Sequence, residues 1–299
     1  LILVEGEFWP NLIRLADRQG IPISLINGRM SSSSYKGYRK LKSLTADVLR
    51  RIDPICVQGE IDAERMIGIG APPDQVHVMG TAKFDVAERD PVAEKATQKI
   101  MQRIGIEDDA IVLLGGSTWP GEEAVLCSIY KKLKAENDKL FLVMVPRHVE
   151  RADEVIECFR QHDLTFLRRS QLEDDGGRER PDVLFVDTTG ELRSFYSVAD
   201  IIFVGKSLLE HGGQNPIEPA LCGKAIVVGP NMENFPAVMP LFIKNDALLQ
   251  VPDAQSLEST IRSLLSDEAM RIAIGQRAER LVTQNQGTIE RTIERLNGE

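Results

Sequence analysis

The chain reads as an α/β protein built on parallel sheets, and three observations predict this. Short apolar runs alternate with segments of helical periodicity along most of the 299 residues. The runs, such as Ile111-Val112-Leu113-Leu114-Gly115 and Ile201-Ile202-Phe203-Val204-Gly205, are continuous rather than alternating, which marks strands covered on both faces. Several runs lead into small, hydroxyl or glycine residues and then a helix-start signal, as in a βα unit. The length suits two domains of ordinary size.

Taken in order, residues 1–4 form a strand and 10–19 a helix opening on Pro10. Residues 23–27 form a second strand, followed by one long helix over 34–51. A strand over 54–58, a helix over 60–67 and a short strand over 76–79 complete the first set. The polar stretch 81–94 separates two sets of βα units and is the candidate interdomain linker. Beyond it lie a helix over 95–104, a strand over 111–115, a helix over 121–136, a strand over 140–145 and a helix over 151–162. Residues 171–181 read as a polar, mobile loop. A strand over 183–187 and a short helix over 192–197 follow. Strands over 201–205 and 225–230 bracket the segment GGQNPIEPA at 212–220, and residues 254–296 form a helical pair.

An apolar fraction of 42% is enough for real cores, and no apolar run approaches the ~20 residues that span a bilayer. Cys56, Cys127, Cys158 and Cys222 are scattered without a CxxC pair and read as reduced packing residues of a cytosolic protein. The four histidines lack metal-like spacing, which argues against a zinc site. The chain opens directly on the strand Leu1-Ile2-Leu3-Val4 and reads as part of a longer protein. The net charge of −9 hides an asymmetry: residues 1–52 hold nine Lys/Arg against four Asp/Glu, so +5, and the remainder carries −14. Lys36, Arg39, Lys40, Lys42, Arg50 and Arg51 cluster, either as a solvated helix face or as a surface for an anionic acceptor or membrane leaflet. Few aromatics and an acidic balance argue against nucleic acid.

The segment GGQNPIEPA carries the most chemistry. Asn215 is a favoured N-cap, Pro216 fits the first helical turn, and Glu218 three residues on completes a capping box. Gly212 and Gly213 let backbone N–H groups approach a ligand. A helix N-terminus at the carboxyl end of a strand suits an anion or a sugar nucleotide, although the same residues also make an ordinary capped αβ turn. Other strand ends carry Gly115-Gly116-Ser117-Thr118, Pro146-Arg147-His148 and Thr188-Thr189-Gly190-Glu191-Leu192. An arginine there can hold a phosphate with two bonds. Each loop alone is a plain αβ connection; together, four neighbouring strand ends converge on one crevice, the general binding position of open α/β sheets. There is no GxxxxGK[ST] and no GxGxxG after a strand. The pattern suggests group transfer from a nucleotide donor held by the second half.

Six segments in order resemble one family: Glu5-Gly6-Glu7-Phe8-Trp9-Pro10-Asn11-Leu12-Ile13, Asn27-Gly28-Arg29-Met30-Ser31, Lys83-Phe84-Asp85, Gly116-Ser117-Thr118, Val145-Pro146-Arg147-His148 and Gly213-Gln214-Asn215-Pro216-Ile217-Glu218-Pro219-Ala220. Over nearly the whole chain they look like the 3-deoxy-D-manno-octulosonic acid (Kdo) transferases. The resemblance implies a GT-B architecture, two Rossmann-like domains facing across a cleft, the first truncated at its N-terminus. Residues 1–84 would be the rear of the N-terminal acceptor domain, and 85–299 the C-terminal CMP-sugar domain with its C-terminal helices, the donor fold itself ending near 280 and the last helix free to cross back to the first domain. The implied activity is transfer of Kdo from CMP-Kdo to a lipid A precursor, in lipopolysaccharide core biosynthesis of Gram-negative bacteria. It takes place at the cytoplasmic face of the inner membrane, without metal or cofactor. Ser117, Pro146, Arg147, His148, Gly190, Glu191, Leu192, Asn215, Pro216, Ile217 and Glu218 would bind the donor, Glu218 at the ribose and Asn215 near the phosphate. Glu5 and Lys83 match positions that stabilise the transition state, although Glu7 fits the acidic pattern as well as Glu5 does. The family's general base, a glutamate, would precede Leu1, so the chain alone is expected to be a soluble fragment that binds donor and transfers weakly. Two departures stand out: Gly6 replaces a hydroxyl residue, and Lys206, read as facing solvent, replaces a small one. The rival readings are another GT-B enzyme, a UDP-sugar transferase or epimerase, or a nucleotide-binding module.

Overall fold

In a computed structural model of the chain, residues 1–6, 8–107, 109–174 and 180–298 are described. Glu7 and the centre of the polar loop 171–181 lie outside the described residues. Ile2–Val4 (β1), Ser24–Gly28 (β2), Ile55–Val57 (β3) and Val76–Val78 (β4) pair in parallel in that order. They alternate with the helices Pro10–Arg18 (α1), Ser32–Lys40 (α2), Lys42–Leu49 (α3) and Glu60–Gly68 (α4). Ile13, Leu25, Leu49, Ile52, Ile55 and Met66 pack as the core of this sheet and its helices. The long helix expected over 34–51 is two helices meeting at Leu41, whose φ of −113° and ψ of 31° leave the helical region. The physical reason is burial. No residue of α2 is fully buried, and only Tyr35 and Tyr38 pack against the edge of the core, whereas α3 buries Val48 and Leu49, so no single apolar stripe spans both.

The second set begins at Pro91–Arg103 (α5), four residues before the expected start. Asp90 caps it, accepting from the N–H groups of Val92 at 3.0 Å and Ala93 at 3.1 Å, with Pro91 in the first turn. The candidate linker is therefore shorter than 81–94, and it is anchored by Phe84 and Ala87, both buried. There follow Ile111–Thr118 (β5), Glu122–Lys134 (α6), Leu140–Pro146 (β6), Ala152–Gln161 (α7), Phe166–Arg168 (β7), Val183–Phe185 (β8), Leu192–Val198 (α8), Ile201–Val204 (β9) and Ile217–Leu221 (α9). Ala225–Val228 (β10), Met239–Lys244 (α10), Leu249–Gln250 (β11), Ala254–Ser266 (α11) and Glu268–Asn285 (α12) complete the set. The sheet order is β11-β10-β9-β5-β6-β8-β7, every observed pair parallel. β5 lies between β6 and β9; from it the strands run outward as β9, β10, β11 on one side and as β6, β8, β7 on the other, so the topological switch point falls between β5 and β9. The sequence reading does not include β7, α10 or β11; two or three strand residues, or six helical ones, are too few to show a period.

The expected C-terminal pair is three helices, because Gly287 at φ +81° breaks the run before Thr288–Asn297 (α13). Contacts divide the chain into two units, Leu1–Val86 with Asn285–Glu299, and Ala87–Gln284. So α13 falls with the first unit, the place that the family resemblance left open for the last helix. It is tied there by Asp85, whose carboxylate accepts from Gly287 N–H at 2.7 Å and Ile289 N–H at 2.6 Å. Arg291 adds a bond to the Met79 carbonyl at 3.0 Å.

In the second unit, α12 lies directly on the turn after α9. A Cβ on Gly275 would fall 1.9 Å from the Gly223 carbonyl oxygen, a backbone atom that cannot swing away. Gly275→Ala is expected to lower the unfolding free energy of the second unit by about 1–3 kcal/mol or more through overpacking. Denaturant unfolding monitors this, and an unchanged midpoint would show that α12 is free to slide.

Candidate functional site

In the second unit the C-terminal ends of β9, β5, β6 and β8 stand side by side across the switch point. The β5 and β9 ends touch: a Cβ on Gly205 would lie 2.3 Å from the Ser117 carbonyl oxygen, so only glycine fits there. Ser117 at φ +53° and Lys206 at φ +57° hold left-handed backbone at these two ends. For non-glycine residues such conformations persist only where their surroundings impose them, and they cluster at functional sites.

The imposing group is Glu122, in the first turn of α6. Its side chain is fully buried, and its carboxylate accepts four backbone bonds: from Trp119 at 2.9 Å, Lys206 at 2.8 Å, Ser207 at 3.1 Å and Leu208 at 3.0 Å. Burial raises its pKa, against those four N–H groups, which lower it. One anion thus pins the loops after β5 and β9 to each other. Ser207 continues the connection, its hydroxyl accepting from Gly229 N–H at 2.8 Å after β10. In the sequence Glu122 falls simply within the start of the helix expected over 121–136. Acids in a first turn ordinarily face solvent, and only its place directly after Pro120-Gly121 hinted otherwise.

Lys206 does not face solvent as expected. Its ammonium sits over the Trp119 ring, 4.3 Å from the centroid. The same ring meets His148 edge-on at 5.4 Å, so Trp119 joins residues from the ends of β5, β6 and β9. The buried Trp119 Nε1 donates to nothing among the described residues.

Arg147 follows β6 directly. Its backbone N–H is fixed on the Thr118 carbonyl at 3.1 Å. Its side chain is exposed and makes no ion pair or hydrogen bond among the described residues. Pro146 before it is buried. The two acids of the expected site are already paired: Glu191 with Arg169 at 2.8 Å and Glu218 with Arg193 at 3.0 Å. α9 starts one residue later than expected, with Pro216 in the capping position, and Asn215 just before it accepts from Ile217 N–H through Oδ1 at 3.0 Å. The reciprocal half of the capping box is replaced. Glu218 turns to Arg193 and to the Asn215 side-chain amide at 3.4 Å.

Gly190, Glu191 and Glu218 line a cavity of about 450 Å³ together with Arg89, Arg169 and Arg193. Ser117, Pro146, Arg147, His148, Leu192, Asn215, Pro216 and Ile217 do not line it. Ile217 is fully buried and packs in the core. The structure therefore puts Gly190, Glu191 and Glu218 in this cavity and Ser117, Pro146, Arg147 and His148 on the β5 and β6 ends, with Leu192, Asn215, Pro216 and Ile217 in neither group.

In the first unit, Glu5 stands at the end of β1 with φ +60° and takes Arg29 through Nε at 2.9 Å and a terminal nitrogen at 2.8 Å. Lys83 is half-buried close by. Burial lowers its pKa, Arg29 lowers it further, and Glu5 opposes both. Gly6 lies against the Arg29 carbonyl, 3.2 Å from where its Cβ would be.

Residues 1–86 match the family described as 3-deoxy-D-manno-octulosonic-acid transferase, and residues 125–281 match glycosyl transferases group 1. The 3-deoxy-D-manno-octulosonic acid transferase of Haemophilus influenzae is 30% identical over 99% of this chain and 68% of its own length. The enzyme of the same description from Bordetella pertussis is 31% identical, again over 99% of this chain and 68% of its own length. The chain belongs to the Kdo transferase family. It is thus a glycosyltransferase, and the parallel α/β units of the GT-B class are those of its relatives. The crystal structure of the C-terminal CMP-Kdo binding domain of WaaA from Acinetobacter baumannii is 28% identical. It aligns with a TM-score of 0.60 over 64% of this chain and 99% of that domain. Anabaena HepE in complex with UDP shares the fold at 14% identity, with a TM-score of 0.59 over 96% of this chain and 75% of its own.

Proposed function

We propose that this Kdo transferase takes Kdo from CMP-Kdo and places it on a lipid A precursor. The observation that carries the donor half is Arg147: a cation without an acid partner among the described residues, fixed at the carboxyl end of a central strand beside the switch point. Its planar fork suits the CMP phosphate, with Ser117 and His148 beside it. Glu218 and Glu191 suit the ribose hydroxyls, and the N–H groups around Asn215 and Gly190 suit the remaining polar edge. An acceptor hydroxyl attacks C2 of Kdo, the bond from C2 to the phosphate oxygen breaks, and CMP leaves with the electron pair. Arg147 stabilises the charge gathering on that phosphate. Lys83 and Glu5 supply the charges that the family resemblance assigns to the transition state, and Arg29 holds Glu5 in place.

The acceptor half rests on the first unit's surface. Trp9, Leu12, Leu15, Leu41 and Leu44 are exposed on α1, α3 and the turns before them. Arg50 and Arg51 are paired with Asp47 and Asp17, Asp47 being shared with Arg14, but Lys36, Arg39, Lys40 and Lys42 are exposed without an ion pair among the described residues. Exposed apolar groups interleaved with unpaired cations suit the cytoplasmic face of the inner membrane, where an anionic lipid acceptor would lie. Among the described residues no helix is long and apolar enough to cross a membrane.

Calorimetric titration of the chain with CMP, and with UDP as control, tests the donor. Saturable CMP binding, at least tenfold tighter than UDP, is the expected result. Tighter UDP binding would transfer the chain to a UDP-sugar enzyme and overturn the reading.

A further inference from the structure

Away from the strand ends, the outer helices of the second unit bring three metal-binding side chains together. Cys127 lies on α6, and Cys158 and His162 lie four residues apart at the end of α7, which packs against α6. One ligand atom from each residue lies within 4.8 Å of the other two, and Cys158 Sγ is 3.9 Å from His162 Nδ1. Around a tetrahedral zinc ion with bonds of about 2.0–2.3 Å, such atoms stand about 3.5–3.8 Å apart. The cluster is therefore within a small side-chain adjustment of a coordination shell.

No short sequence motif announces this site. Here the third ligand comes from a neighbouring helix, and Cys158 with His162 at four-residue spacing share one helix face. Cys127 is fully buried, whereas Cys158 and His162 are half-buried, so an ion can enter and keep a water in the fourth position. Two sulfurs and an imidazole select a thiophilic ion over magnesium or calcium. The nearby Glu123 carboxylate is committed to Arg151 at 2.9 and 3.2 Å, which leaves the three side chains as the donor set. His162 Nδ1 lies 2.8 Å from the Cys158 carbonyl, a bond it exchanges for the ion.

We propose that Cys127, Cys158 and His162 form a Zn²⁺ site that ties α6 to the end of α7. On binding, two thiols lose their protons to the buffer, two zinc–sulfur bonds and one zinc–nitrogen bond form, and all but one of the waters on the hydrated ion leave. Nothing in this depends on which nucleotide the strand ends hold.

The test uses the full chain, reduced and stripped with a chelator, then titrated with Co²⁺ as a spectroscopic stand-in. Expected are a thiolate-to-cobalt charge-transfer band that saturates at one ion per chain and its loss on adding Zn²⁺. Cys158→Ser and His162→Ala each weaken Zn²⁺ binding at least tenfold. Zn²⁺ raises the thermal midpoint of the unsubstituted chain but not of His162→Ala. Cys222→Ser, on the far side of the sheet topology near α9, binds as the unsubstituted chain does. Absence of the band overturns the proposal. So does a band that survives both Cys158→Ser and His162→Ala, or one that Cys222→Ser abolishes equally. His162 closes α7 at its half-exposed end, so its substitution reads binding even if Cys158→Ser folds poorly.

Discussion

Arg147→Ala is expected to weaken CMP binding by about 10- to 100-fold while leaving unfolding stability within about 0.5 kcal/mol. The first number follows from removing charge-assisted bonds to a phosphate, about 1.5–3 kcal/mol in all. The second follows from exposure: the guanidinium makes no ion pair or hydrogen bond among the described residues, so the folded protein loses nothing when it goes. Arg147→Lys keeps the charge but not the two-pronged geometry, and its affinity should fall between the two. Titration of CMP into all three proteins is the check. Affinity within twofold of the unsubstituted chain for Arg147→Ala would remove the phosphate from the end of β6.

Glu122→Ala is expected to cost at least about 3 kcal/mol of stability, since it strands four backbone N–H groups around a buried void. Glu122→Gln separates volume from charge. It fills the same space, but its NH₂ faces N–H groups that need an acceptor, so it should recover only part of the loss. Both substitutions should also weaken CMP binding, because the carboxylate holds the loops carrying Trp119 and Lys206. Denaturant unfolding and nucleotide titration of Glu122→Gln read the two effects separately. A folded Glu122→Gln chain with unchanged CMP affinity would show that this anion serves the fold alone.

Which features could be read in advance follows from how local their causes are. The buried strands declared themselves because burial on both faces leaves continuous apolar runs, as in Leu140–Pro146. Arg147, Asn215 and the glycine-rich turns were legible because a strand end followed by a helix start is a local pattern. The break at Leu41 was not, since it depends on which residues find a core to pack against. Glu122, Lys206 and the Cys127–Cys158–His162 cluster were hidden for a related reason. Their partners are backbone groups or rings on other strands and helices, and no spacing along the chain encodes them. The extra helix after Gly287 had a local signal, but its place in the first unit rests on Asp85, some two hundred residues earlier.

That last contact bears on how the protein is made. Residues 87–284 form one unit inserted within the sequence of the other. On a ribosome, the inserted unit has its whole sequence available before α13 appears. The sheet of β1 to β4, synthesised first, waits for its closing helix until after that point. Order of synthesis and order of completion are therefore reversed. The exposed backbone N–H groups of Gly287 and Ile289 are what finally satisfy the carboxylate that Asp85 has held ready since early in translation.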